Sequence, residues 1–125
     1  MKKDNILLDV DYDAEFDILY MKSKEPYEYE VSIEANNHVV IDISKDKKVS
    51  AFEILDASHF FDMKNTDLIH SNFEVNVVVT EDVIKLHFDV RYGEAASRNI
   101  KVASAKALNE GQARIGLYTY TYEVA

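Results

Sequence analysis

Phe73-Glu74-Val75-Asn76-Val77-Val78-Val79-Thr80, followed after Glu81-Asp82 by Val83-Ile84-Lys85-Leu86-His87-Phe88-Asp89-Val90-Arg91-Tyr92, is the most regular stretch of the chain. Phe73, Val75, Val77 and Val79 alternate with Glu74, Asn76, Val78 and Thr80, and Ile84, Leu86, Phe88, Val90 and Tyr92 alternate with Lys85, His87, Asp89 and Arg91. A period of two sends successive side chains to opposite faces of a strand. The stretch therefore reads as a hairpin with one buried and one wet face.

The same period recurs upstream. Ile6, Leu8, Val10 and Tyr12 alternate with Leu7, Asp9 and Asp11, and after the polar break Asp13-Ala14-Glu15 the residues Phe16, Ile18 and Tyr20 continue it as the second arm of a hairpin. The sole proline, Pro26, marks Ser23 to Tyr29 as a loop. Val31 and Ile33, then Val39, Ile41 and Ile43 beyond Asn36-Asn37, and Val49 to Leu55 beyond Asp46-Lys47-Lys48, complete a meander of four or so strands. Asp56-Ala57-Ser58 offers N-cap side chains for a short helix to about Lys64, with a second helical turn from Asn65 to Ile69. Between Gly93 and Leu108, Ala95, Ala96, Ala103, Ala105 and Ala107 suit a helix, whereas Ile100 and Val102 favour a strand; a strand over Arg98 to Ala103 is expected. Asn109-Glu110-Gly111 is a turn before a last strand from Ala113 to Val124. The expected fold is mainly β: antiparallel meanders forming two packed sheets or one curved sheet around a short central helix. Its 125 residues, 47% of them hydrophobic, suffice for one domain with a real core.

Two segments carry a family resemblance. Tyr12-Asp13-Ala14-Glu15-Phe16-Asp17-Ile18-Leu19-Tyr20 reads Y-D-x-x-x-D-x-L-Y, and Val49 to Ser58 ends in E-I-L-x-A-S. In that order and spacing, residues 6–62 resemble the domain of unknown function (DUF) 2283 family, while residues 63–125 match nothing recognisable. Ala51 and Lys47 stand where that family usually has glycine. The resemblance implies a compact meander followed by a short helix, without an established activity, and short relatives that look like partners of toxin-type proteins imply an antitoxin-like role.

Charge and composition remove whole classes of function. Net charge is −9, with 15 acids and 7 bases in residues 1–62 against 8 and 7 in residues 63–125. Nucleic-acid and anionic-membrane binders draw affinity from excess Lys and Arg, so neither partner is expected. With no cysteine, disulfides and thiolate chemistry are out, which fits a cytoplasmic chain. The three glycines are isolated, so no phosphate-cradling loop of the P-loop or Rossmann kind forms. No cofactor is expected.

Four groups of residues could still carry chemistry. Asp9, Asp11, Asp13, Glu15 and Asp17 crowd one hairpin; a hard cation needs converging oxygens, but a solvated face with Asp13 capping the turn explains them as well. Asp17 and Glu53, with Tyr20 nearby, form the pair expected to be buried, either as a polar network or as a ligand site. His59 and His70 flank the helical linker and could approach each other as metal ligands. Tyr118, Tyr120 and Tyr122 share one face of the last strand, where they would pack across strands or fill a subunit interface. The leading expectation is a non-catalytic protein-interaction or regulatory module that self-associates because one of two long strands, Val83 to Tyr92 or Ala113 to Val124, ends a sheet, with a further protein partner open. The alternative is a small-ligand or metal-binding protein using the carboxylates and a histidine.

Overall fold

A computed structural model describes residues 4–93 and 99–124. Nine strands, β1 (Asp4–Asp13), β2 (Ile18–Ser23), β3 (Tyr29–Ala35), β4 (Val39–Ser44), β5 (Val49–Leu55), β6 (Asn72–Val79), β7 (Val83–Tyr92), β8 (Asn99–Leu108) and β9 (Gly116–Tyr122), join into one sheet. Helices α1 (Ala57–Phe61) and α2 (Asn65–Ile69) separate β5 from β6. The strand order is β3-β4-β5-β2-β1-β9-β6-β7-β8, so the two long strands expected to supply an edge, β7 and β9, are both interior, and the edges are β3 and β8. Mainly β character with a curved sheet is thus what the alternation encodes.

The two anticipated arrangements meet in β1. Its first residues, Asp4 to Leu7, run parallel to β9, while Leu8 to Asp13 run antiparallel to β2. One strand is shared between a β1–β5 half and a β6–β9 half. The curled halves face each other: Phe52 of β5 meets Tyr120 of β9 edge-on at 5.0 Å and Phe88 of β7 at 6.2 Å. Phe60 and Phe61 of α1 add two more rings against Phe88, each at 5.7 Å. Offset and edge-on ring pairs add specificity to the apolar burial that holds such a core. Edge strands β3 and β8 also approach, and the Asn36 side-chain amide donates to the Ser104 carbonyl at 3.4 Å.

Several local expectations change. The helix after β5 begins at Ala57, but Asp56 sits in the left-handed region (φ 51) and its side chain caps nothing. The cap comes from Asp17, far away in sequence. The strand over Arg98 to Ala103 is instead β8, ten residues running on to Leu108; its alanines at 103, 105 and 107 share the inward face, beside Phe88, Leu86 and Ile84 of β7. Ala95, Ala96 and Arg98 lie outside the described residues. The last strand starts at Gly116 rather than Ala113, because the Asn109 side chain bonds both the N–H and the carbonyl of Ala113 and holds it in the preceding turn.

Candidate functional site

Asp17 anchors a clasp at the tip of the β1–β2 hairpin. Asp13 turns the chain by accepting the N–H groups of Glu15 and Phe16, each at 3.1 Å, and Asp17 then adopts φ 56. That backbone aims the Asp17 carboxylate at the start of α1. Its Oδ1 accepts the Tyr12 hydroxyl at 2.6 Å and the Ser58 N–H at 2.9 Å, and its Oδ2 accepts the Ser58 hydroxyl at 2.6 Å. The Asp17 carbonyl accepts the Ala57 N–H at 3.0 Å. Two of the orphan N–H groups at the helix start are thereby satisfied from another element, which is the work an N-cap side chain ordinarily does.

Burial pushes the Asp17 carboxyl up, but the hydrogen bonds from Ser58 and Tyr12, with the His59 charge nearby, outweigh it and hold the group below the usual carboxylate range. The Tyr12 phenol is pushed up, first by burial and then by its bond to Asp17. A carboxylate held ionised in this way is a weak base, poorly suited to activating the Ser58 hydroxyl. Tyr12, Asp17, Ala57 and Ser58 are all letters of the recurring pattern in this half, and that pattern spells a structural joint between hairpin and helix.

Glu53 and Tyr20 lie elsewhere. They stand opposite each other in β5 and β2, on the outer face of the sheet. With Asp9, Asp11, Lys22 and Asp42 they line a groove of about 430 Å³, roofed on one side by Tyr27. Burial, then the charge of Asp42, pushes the Tyr27 phenol up. The fold therefore brings Tyr20 and Glu53 together and keeps Asp17 apart from both. Asp42 and Tyr27 escaped the sequence reading: Asp42 alternates like any wet-face residue, and nothing local says that the loop after Pro26 folds back over the sheet.

The remaining candidates have separate places. His59 on α1 and His70 at the end of α2 are both exposed. Among the described residues, no group of three or more His, Asp or Glu is arranged to hold a metal ion. Tyr118, Tyr120 and Tyr122 face the interior of the curled sheet. Tyr120 is 1% exposed and donates its hydroxyl to the Val49 carbonyl at 2.5 Å, Tyr118 donates to the Arg114 carbonyl at 2.9 Å, and Tyr122 packs near Phe73 at 6.3 Å. Their rings tie β9 to both halves of the fold. No described helix is long and apolar enough to cross a membrane.

Comparison with known proteins fits this division. The profile of the family described as "Protein of unknown function (DUF2283)" matches residues 9–58, which run from the second part of β1 to the start of α1 and contain the whole clasp except for its neighbouring His59. The rest of the chain has no family match. A Methanosarcina mazei protein described as "Putative hypoxanthine phosphoribosyltransferase" is 32% identical over 88 residues, covering 69% of each chain. No solved structure matches. Residues 9–58, which hold Tyr12 and Asp17 near one end and Ser58 at the other, thus match the DUF2283 family.

Proposed function

We propose that the protein is a non-catalytic protein-interaction module of the cytoplasm, working as a homo-oligomer and open to a regulatory, antitoxin-like partnership. The observation that carries this reading is the edge strand β8, whose ladder partner among the described residues is β7 and which exposes Ile100 (51%), Val102 (60%) and Leu108 (62%) on one face. Large apolar side chains gathered on a sheet edge are a liability that a second chain relieves by covering them. The most specific polar cluster, around Asp17, is committed to holding the helix and has no spare reactive group.

Native mass spectrometry on protein purified gently without chelator tests the reading. Masses at multiples of 14.3 kDa, or a reproducible second chain, are expected. A monomer carrying a small molecule or metal ion overturns it in favour of a ligand protein. The description of the archaeal relative makes hypoxanthine and a phosphorylated ribose the first small molecules to add; the expected result is no added mass.

A further inference from the structure

The outer surface of the curled sheet carries two faces of opposite charge. On β7 and β8, Lys85 and Lys106 are direct cross-strand partners, followed by the pair His87 and Ser104. With Asn76 and Val78 they line a groove of about 500 Å³; at one end of it His87 bonds the Asp89 carboxylate at 3.2 Å and Asn76 donates to Glu74 at 3.3 Å. Like charges set directly opposite each other destabilise a sheet, yet neither lysine has an ion-pair partner among the described residues. Glu74 and Asp89, cross-strand partners two residues beyond Asn76 and His87, occupy that end, and the two lysines stand at the other. Ile100, Val102 and Leu108 project from the same side of β8 as Lys106, so the basic pair and the exposed apolar row form one face.

The β1–β2–β5 face is its complement. Asp9, Asp11, Asp42 and Glu53 line a groove with Lys22, and Lys24 pairs with Asp9 at 3.9 Å, but neither Asp11 nor Glu53 has an ion-pair partner among the described residues. Leu7 and Tyr20, 62% and 39% exposed, supply apolar surface on the same side. Each face thus offers exposed apolar side chains beside charges outside every ion pair among the described residues, Lys85 and Lys106 on one and Asp11 and Glu53 on the other, and these are of opposite sign.

We infer that the protein self-associates head to tail, the Lys85–Lys106 face of one copy seating on the Asp11–Glu53 face of the next. The inference rests on the interaction reading above and names its occupant as a second copy of this chain. Because the two faces lie on different parts of one protomer, the contact is heterologous, and its repetition gives a ring or a chain of copies. Charge complementarity of this kind fixes register and speeds encounter, while the apolar residues supply the burial.

Sedimentation analysis of the full chain across a range of concentrations and salt tests this. At low salt the wild type is expected above 14.3 kDa, falling toward that mass in high salt as exposed charges are screened. The double variants Lys85→Glu/Lys106→Glu and Asp11→Lys/Glu53→Lys should each sediment as monomers. Mixed together they should reassociate, because each supplies a face complementary to the other. Circular dichroism checks that the variants fold. If a reversal unfolds the chain, the neutral versions Lys85→Gln/Lys106→Gln and Asp11→Asn/Glu53→Gln replace it, with association weakened by at least about tenfold. A wild type that oligomerises while both double variants keep its mass overturns the head-to-tail contact and leaves the interaction reading standing. A wild type that stays monomeric at low salt also overturns the contact, and native mass spectrometry for a second chain then decides the broader reading.

Discussion

The Tyr12 hydroxyl donates to the Asp17 carboxylate at 2.6 Å across the tip of the first hairpin, and the same carboxylate holds the N–H and hydroxyl of Ser58 at the start of α1. One side chain thus fixes both the return of β1 and the departure of the chain from β5.

Removing that junction should cost stability rather than an activity. Asp17→Asn leaves Tyr12 and Ser58 competing for a neutral acceptor, and a loss of about 1–3 kcal/mol is expected. Tyr12→Phe removes one bond of three to the carboxylate and should cost about 1 kcal/mol. Urea unfolding at neutral pH measures both, and an Asp17→Asn protein as stable as wild type would remove the clasp from the account of the fold.

The clasp also predicts how stability depends on pH. Asp17 titrates lower in the folded chain than in the unfolded one, so folding is favoured while its carboxyl is ionised. That contribution is intact above about pH 4, the unfolded value, and is lost as pH falls through the lower folded value. Asp46, held low chiefly by its bond from Ser44, acts in the same direction. Tyr12 behaves oppositely: its raised phenol contributes stability below about pH 10 that disappears in stronger alkali. Urea midpoints should therefore decline at both extremes, and the acid decline should be shallower in Asp17→Asn.

Lys47 occupies a left-handed position, φ 67, in the turn between β4 and β5. A side chain there costs about 1–2 kcal/mol, whereas glycine adopts it freely. Lys47→Gly gives up an exposed ion pair with Glu30, worth about 0.2–1 kcal/mol, and gains entropy in the unfolded chain. A net gain of up to about 1 kcal/mol is expected, read as a higher thermal midpoint. Lys47→Val should move the midpoint down.

Phe52 ties the two halves of the sheet together through Phe88 and Tyr120. Phe52→Ala should cost about 3–5 kcal/mol. Near-ultraviolet and far-ultraviolet dichroism should still report one shared transition. Separate transitions would mean that the halves fold as independent units.

Strand identity was legible wherever one face is wet, as in β6 and β7, because alternation reports burial directly. The pairing of β1 with β9 was not, since a shared strand has the same alternation whichever neighbour it serves. Asp56 misled for a related reason: a residue of the right type before a helix is a cap only if its backbone leaves its oxygen facing the N–H groups, and at φ 51 it does not. Glu53 and Tyr20 could be placed on one face by counting, but their distance from Asp17 depends on which strands are neighbours. The tyrosines of β9 looked equally suited to an interface or a core, and only the closure of the sheet turns them inward.

The divided pairing of β1 gives the chain an order of assembly. Residues 8–13 find their partner in β2 within one hairpin turn, but residues 4–7 have theirs in β9, near the other end of the sequence. During synthesis the meander can close early, while the lead-in to its first strand remains an open edge until the last strand has left the ribosome. The family match begins at residue 9, just past this change of partner. A segment shared by the family thus carries, one residue upstream of its boundary, the seam by which this protein joins it to a second half-sheet.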